Sequence, residues 1–222
     1  MARLLFAVGL FGLLSVQPAM ADDIVYVSLT PHANQKLDEP FHSGSEGNNL
    51  PIPKGVQTFA DVKFKIEAGA LQLGSTMVTR MPEKIEGVKV GKAVAALHFL
   101  QGTGGTGDNN NISDGDKIGE YIVHYDDRTT ATIPIVFGED LRDWWNWDNS
   151  KKVTRGKVAW EGANERCKLS GLKLRLYVTT WDNPSPSKTI THLDFVTDKK
   201  TTCAPFCVAI TGEENNVEKG PQ

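Results

Sequence analysis

The chain has 222 residues, with 24 Lys and Arg against 27 Asp and Glu, a net charge of −3 and 40% hydrophobic residues. So mildly acidic a balance leaves no basic footprint for nucleic acid. After the first residues, no apolar run approaches the roughly 20 residues that a membrane helix needs.

The N-terminus reads as a secretory signal peptide over residues 1–21. A single Arg3 precedes the apolar run 4–16, and Ala19, Met20 and Ala21 form a small-residue cleavage pattern before Asp22 and Asp23. The run is about a dozen residues long, too short to span a bilayer. No cysteine follows the cleavage point, which argues against a lipid anchor. The expectation is therefore an exported protein, periplasmic, envelope-associated or extracellular. About 200 residues remain, a size that one β domain can occupy. That domain is expected over 22–212, followed by a polar, disordered tail over 213–222.

Within the domain the hydrophobic period is nearly always two. Strands are expected at 24–29, then at Val62, Phe64 and Ile66, which alternate with Lys63 and Lys65. Further strands are expected at 94–100, 118–125, 130–137 and 156–160. The clearest is set by Leu172, Leu174, Leu176 and Val178, alternating with Lys173, Arg175, Tyr177 and Thr179. Residues 189–196 and 206–211 complete the set. Asp126, Asp127 and Arg128 mark a hairpin turn, and the run Asn183, Pro184, Ser185, Pro186 breaks another pair. Pro134 cannot donate to a ladder, so its strand should carry an edge or a bulge. Short strands separated by turn signals, with no sustained helical stripe, indicate a sandwich or barrel. Two segments, 34–54 and 102–116, have the Gly, Asn, Ser, Pro and Asp content of long loops.

Few motifs suggest chemistry. Gly102, Gly104 and Gly107 match a GxGxxG pattern, but Asp108, Asn109, Asn110 and Asn111 follow where a dinucleotide site needs a helix to start. Asp108, Asp114, Asp116 and Glu120 are oxygen donors of the kind calcium prefers, although aligning Gly115 with the obligatory EF-hand glycine puts Ile112 and Tyr121 at ligand positions. A structural calcium of another kind stays open. None of His32, His42, His98, His124 and His192 sits at HxxxH spacing, and the last three read as strand residues. There is no GxSxG elbow and no P-loop. Of Cys167, Cys203 and Cys207, the last lies in an apolar run and reads as a buried free thiol; Cys167 with Cys203 is the preferred disulfide, with Cys203–Cys207 or three free thiols as alternatives.

Binding-type side chains concentrate at 138–150. Trp144, Trp145 and Trp147 are interleaved there with Arg142, Asp143, Asn146, Asp148 and Asn149. An indole face stacks on the CH groups of a sugar, while carboxylate, amide and guanidinium bond its hydroxyls. The same tryptophans could instead cap the end of the core. Trp181, Asp182 and Asn183 form a smaller candidate, which would extend the first into one rim if the strand order brought them together. The expected ligand-binding set is Arg142, Asp143, Trp144, Trp147, Asp148, Trp181 and Asp182.

The segments 55–66 (GVQTFADVKFKI), 119–145 (GEYIVHYDDRTTATIPIVFGEDLRDWW), 174–195 (LRLYVTTWDNPSPSKTITHLDF) and 204–211 (APFCVAIT) resemble a galactose-binding-like jelly-roll domain of bacterial exported proteins. The resemblance implies a jelly-roll β-sandwich of two antiparallel sheets. It also implies a non-catalytic role, with glycans bound through loops at one end or on a concave face, and often a structural calcium. The expected function is carbohydrate binding without catalysis; a structural or protein-interaction domain of the cell envelope is the alternative.

Overall fold

The computed structural model describes residues 24–42, 46–106, 112–147, 150–197 and 199–215. The signal-peptide expectation and residues 216–222 of the expected tail lie outside them. The chain is an antiparallel β-sandwich, as the period-two pattern requires. Its strands are β1 (Ile24–Val27), β2 (Gln35–Lys36), β3 (Gly55–Phe59), β4 (Val62–Ile66), β5 (Gly69–Gln72) and β6 (Lys84–Gly104). They continue with β7 (Lys117–Tyr125), β8 (Thr130–Val136), β9 (Lys157–Gly162), β10 (Leu174–Asp182), β11 (Thr189–Val196) and β12 (Ala204–Glu214), with one short helix α1 (Glu165–Leu169) before β10.

The 21-residue strand β6 organises the fold. Its first half pairs with β11, which continues through β7 to β8 and forms the outer layer. Its second half runs between β12 and β10 in the central layer, where β12 also carries β1 and β5, and β10 carries β9. The two layers are thus one continuous hydrogen-bonded sheet. Only 94–100 of β6 carries a strand pattern in the sequence, because Gly87 and Gly91 punctuate the first half. Both glycines take positive φ, +76° and +68°, beside two register shifts in the pairing with β11. That is how a bulge bends a strand, and glycine supplies the backbone conformation without strain.

Two cores follow from this arrangement. Between the layers Phe99, Tyr121 and Phe195 stack in series, with ring centroids 4.1 and 4.7 Å apart, among Leu97, Tyr177, Leu193 and Ile210. On the other face of the central layer Leu100, Leu174, Leu176, Val178 and Phe206 pack under the β3–β4 hairpin, where Phe64 and Ile66 point inward. The segment expected as a loop at 34–54 supplies Leu37, Phe41, Leu50 and Ile52 to this second core. The central layer is therefore buried on both faces, and β12 reads as an unbroken buried run from Ala204 to Gly212. A register shift between Cys207 and Ala209 sends both Val208 and Ala209 to the second core.

Several expectations are corrected. Cys167 lies in the second core while Cys203 and Cys207 lie in the first, so the expected Cys167–Cys203 disulfide would have to cross the central layer; all three thiols are free and buried. Residues 213–215 belong to the fold and not to a tail: β12 runs to Glu214, and the Asn215 amide donates to the Ala93 carbonyl. Pro134 sits in β8, the edge strand of the outer layer, as its missing N–H demands.

Candidate functional site

The residues after β8 turn back and wedge between the end of β6 and the start of β10. The Trp144 amide donates to the Thr103 carbonyl (2.8 Å), the Arg175 amide to the Trp144 carbonyl (2.7 Å), and Trp145 bridges Leu174. Asn146 continues the ladder: its amide donates to the Lys173 carbonyl, and its side-chain oxygen accepts from the Lys173 amide at 2.7 Å. The segment behaves as a short extra strand, so side chains two apart share a face. Trp145 and Trp147 accordingly stack, with centroids 5.3 Å and planes 23° apart.

Beside this pair is a cleft of about 280 Å³, lined chiefly by His42, Asn48, Met77, Asp143, Trp145 and Trp147, with Gly104 and Gly105 on its floor. Its volume falls just below that of ligand pockets, which start at about 300 Å³. Trp147 is 51% exposed, and Met77 is also exposed. Asp143 is buried and ties the wedge to the strand end: its carboxylate accepts from the Trp145 amide (2.8 Å), the Thr106 amide (3.1 Å) and the Thr106 hydroxyl (2.7 Å). Burial pushes its pKa up to about 6, against those hydrogen bonds and the nearby Arg175 guanidinium, which favour the charged form.

His42 has a left-handed backbone (φ +57°), and its Nε2 lies 3.2 Å from the Ala204 carbonyl, which makes Nε2 the protonated nitrogen. Its Nδ1 is buried and has no hydrogen-bond partner among the described residues. Desolvation lowers its pKa to about 4, so the ring is neutral at neutral pH. A Cβ on Gly104 would come within 2.7 Å of this ring, so that glycine serves close packing and not a phosphate loop.

The expected site residues divide sharply. Asp143, Trp144 and Trp147 line the cleft, but the Trp144 indole is only 2% exposed and is packed by Phe41, His42 and Phe206 at 5.4, 5.5 and 5.6 Å. It is a core residue that closes one wall. Arg142 is buried and spent: both terminal nitrogens bond the Asp114 carboxylate (2.9 and 2.6 Å), and the guanidinium covers the Phe137 ring. Asp148 lies outside the described residues. Trp181 and Asp182 do not join the rim. They end β10 opposite Leu97 and Ala96, whereas the wedge meets that strand at Leu174, seven residues or roughly 23 Å away. Trp181 instead leans on the first core.

His42, Asn48 and Met77 were missed because nothing local marks them. They come from distant parts of the chain and meet the wedge only through the fold. Of the acidic loop considered for calcium, Asp108 lies outside the described residues and the other three donors are otherwise engaged. Asp114 holds Arg142, Asp116 accepts from the Ser113 amide (2.7 Å), and Glu120 pairs with Lys117 (2.6 Å). Comparison with family models, with curated proteins and with solved structures finds no match.

Proposed function

We propose that this protein is an exported, non-catalytic binding module of galactose-binding-like type that holds a glycan in the cleft beside Trp145 and Trp147. The carrying observation is the stacked indole pair with Trp147 half exposed, next to the Asp143 carboxylate and the Asn48 amide. A sugar ring laid on the free indole face loses water from its CH groups and turns its hydroxyl edge toward those polar groups. Asp143 is the only carboxylate among the described residues that line the cleft. Glycoside hydrolysis uses two, about 5 to 10 Å apart, which favours binding over cleavage.

The second reading, a structural or protein-interaction domain of the envelope, draws on the burial of Trp144 and the ion pairing of Arg142, which leave less of the segment for a ligand. A glycan array probed with the mature chain separates the two. Retention of a defined class of oligosaccharide, lost in Trp147→Ala, supports the binding module; an array with no signal supports the envelope role.

A further inference from the structure

The outer layer carries a second constellation, on β7 and β11, neither of which lines the cleft. His124 of β7 and His192 of β11 are register partners across the ladder, and Asp194 is two residues beyond His192 on the same face. One nitrogen of each imidazole and one carboxylate oxygen of Asp194 lie within 4.8 Å of one another. The rings stack at 4.2 Å, nearly parallel, and His124 Nε2 is 3.1 Å from Asp194 Oδ2. We infer that His124, His192 and Asp194 form a binding site for a divalent transition-metal ion of the zinc class.

The hydrogen bonds around the three groups set them up as ligands. The Thr191 hydroxyl donates to the His124 carbonyl at 2.9 Å, so toward His192 Nδ1, also 2.9 Å away, its oxygen can only accept. The His192 proton is thereby held on Nδ1, and Nε2 presents a bare lone pair, the form a metal requires. Asp194 is likewise oriented: its Oδ1 accepts from the Gly87 amide at 3.0 Å, at the positive-φ glycine of the bulge, which leaves Oδ2 toward His124. The His124–Asp194 contact is where a metal enters, replacing the Nε2 proton, which leaves to solvent. Tetrahedral bonds of about 2.0 to 2.1 Å set ligand atoms about 3.4 Å apart, so the widest separation closes by roughly 1.5 Å. His124 and His192 are partly exposed and can rotate to do this. Two imidazoles and one carboxylate favour zinc, copper, nickel or cobalt over calcium or magnesium, and leave a fourth position to water.

A competing cation stands at the same oxygen. Lys84 Nζ is 3.0 Å from Asp194 Oδ2, and its alternative partner Glu86 is 2.7 Å away. A metal at Asp194 therefore releases Lys84 to Glu86, and this exchange separates a metal site from a mere hydrogen-bonded cluster. The test is calorimetric titration of the purified chain with Zn2+, with Co2+ absorption as a second readout. The expected results are one equivalent bound, no response to Ca2+ or Mg2+, loss of binding in His192→Ala, weakening of about 10- to 100-fold in Thr191→Val, and tightening in Lys84→Met. Visible Co2+ bands without a thiolate charge-transfer band place the ion on nitrogen and oxygen. Absence of Zn2+ binding by a folded chain, binding unchanged in His192→Ala, or a thiolate band implicating the cysteines would overturn the site.

Discussion

Replacing Trp144 by alanine should unfold the protein more readily and not simply empty a binding site. The indole is 2% exposed, bounded by Phe41, His42 and Phe206, and its amide and carbonyl knit β6 to β10. A tryptophan of this kind removes about 150 to 250 Å² from water, which at about 25 cal/mol per Å² is roughly 4 to 6 kcal/mol as an upper bound. Truncating buried aromatics typically costs about 3 to 5 kcal/mol, and the backbone bonds survive the substitution. In a domain of this size each kcal/mol moves the melting temperature by about 2 to 4 °C, so Trp144→Ala should melt about 6 to 20 °C below the wild type. Urea unfolding followed by circular dichroism gives the free energy directly. A loss below about 1 kcal/mol would refute the assignment of Trp144 to the second core.

Other expectations follow from the same contacts. Burial pushes the Cys203 and Cys207 thiols up to about 12 and Cys167 is fully enclosed, so a thiol reagent should label no cysteine in the native chain and three after denaturation; nonreducing peptide maps with a disulfide would contradict this. Asp143 has a pKa raised to about 6 from 3.8, so the native state holds its proton more tightly than the unfolded chain. Its contribution is full below about pH 4 and is lost as pH rises through about 6, to a total of roughly 3 kcal/mol. Unfolding free energies of wild type and Asp143→Asn measured from pH 4 to 7 should converge or cross as pH rises, and parallel curves would remove the buried carboxylate from the account. On the proposed reading of residues 1–21 as a signal peptide, exported material should begin at Asp22, and N-terminal sequencing that still reads Met1 would reject that reading.

The strands with an uninterrupted period of two were legible. Residues 189–196 match β11 residue for residue, and the Leu174, Leu176, Val178 face is the one buried in the second core. The long continuity of β6 was not, because glycine reads as a break in sequence while here it bends one strand between two layers. Nor was the covering role of residues 34–54, whose four buried apolar side chains have no regular period and are fixed by tertiary packing alone. In the site, composition located the wedge but not the roles within it. Trp145 and Trp147 stack through strand periodicity while the adjacent Trp144 is packed into the second core, and that periodicity is invisible in a run that looks like loop. Arg142 had the chemistry of a ligand contact, but Asp114, 28 residues earlier, satisfies it. Pairing of β6 with β10 sets Trp181 at the strand end remote from the wedge, a distance no local pattern records.

The five tryptophans give five indole N–H probes spread over the molecule, so a two-dimensional amide and indole NMR spectrum of the 15N-labelled chain, recorded during titration with an array-selected oligosaccharide, tests the cleft most directly. Binding there should shift the Trp145 and Trp147 indole signals in step with saturation, leave Trp160 and Trp181 in place, and disappear in Trp147→Ala while the rest of the spectrum stays folded. Shifts confined to Trp160 or Trp181, or an unchanged response in Trp147→Ala, would contradict the assignment of the glycan site to this cleft.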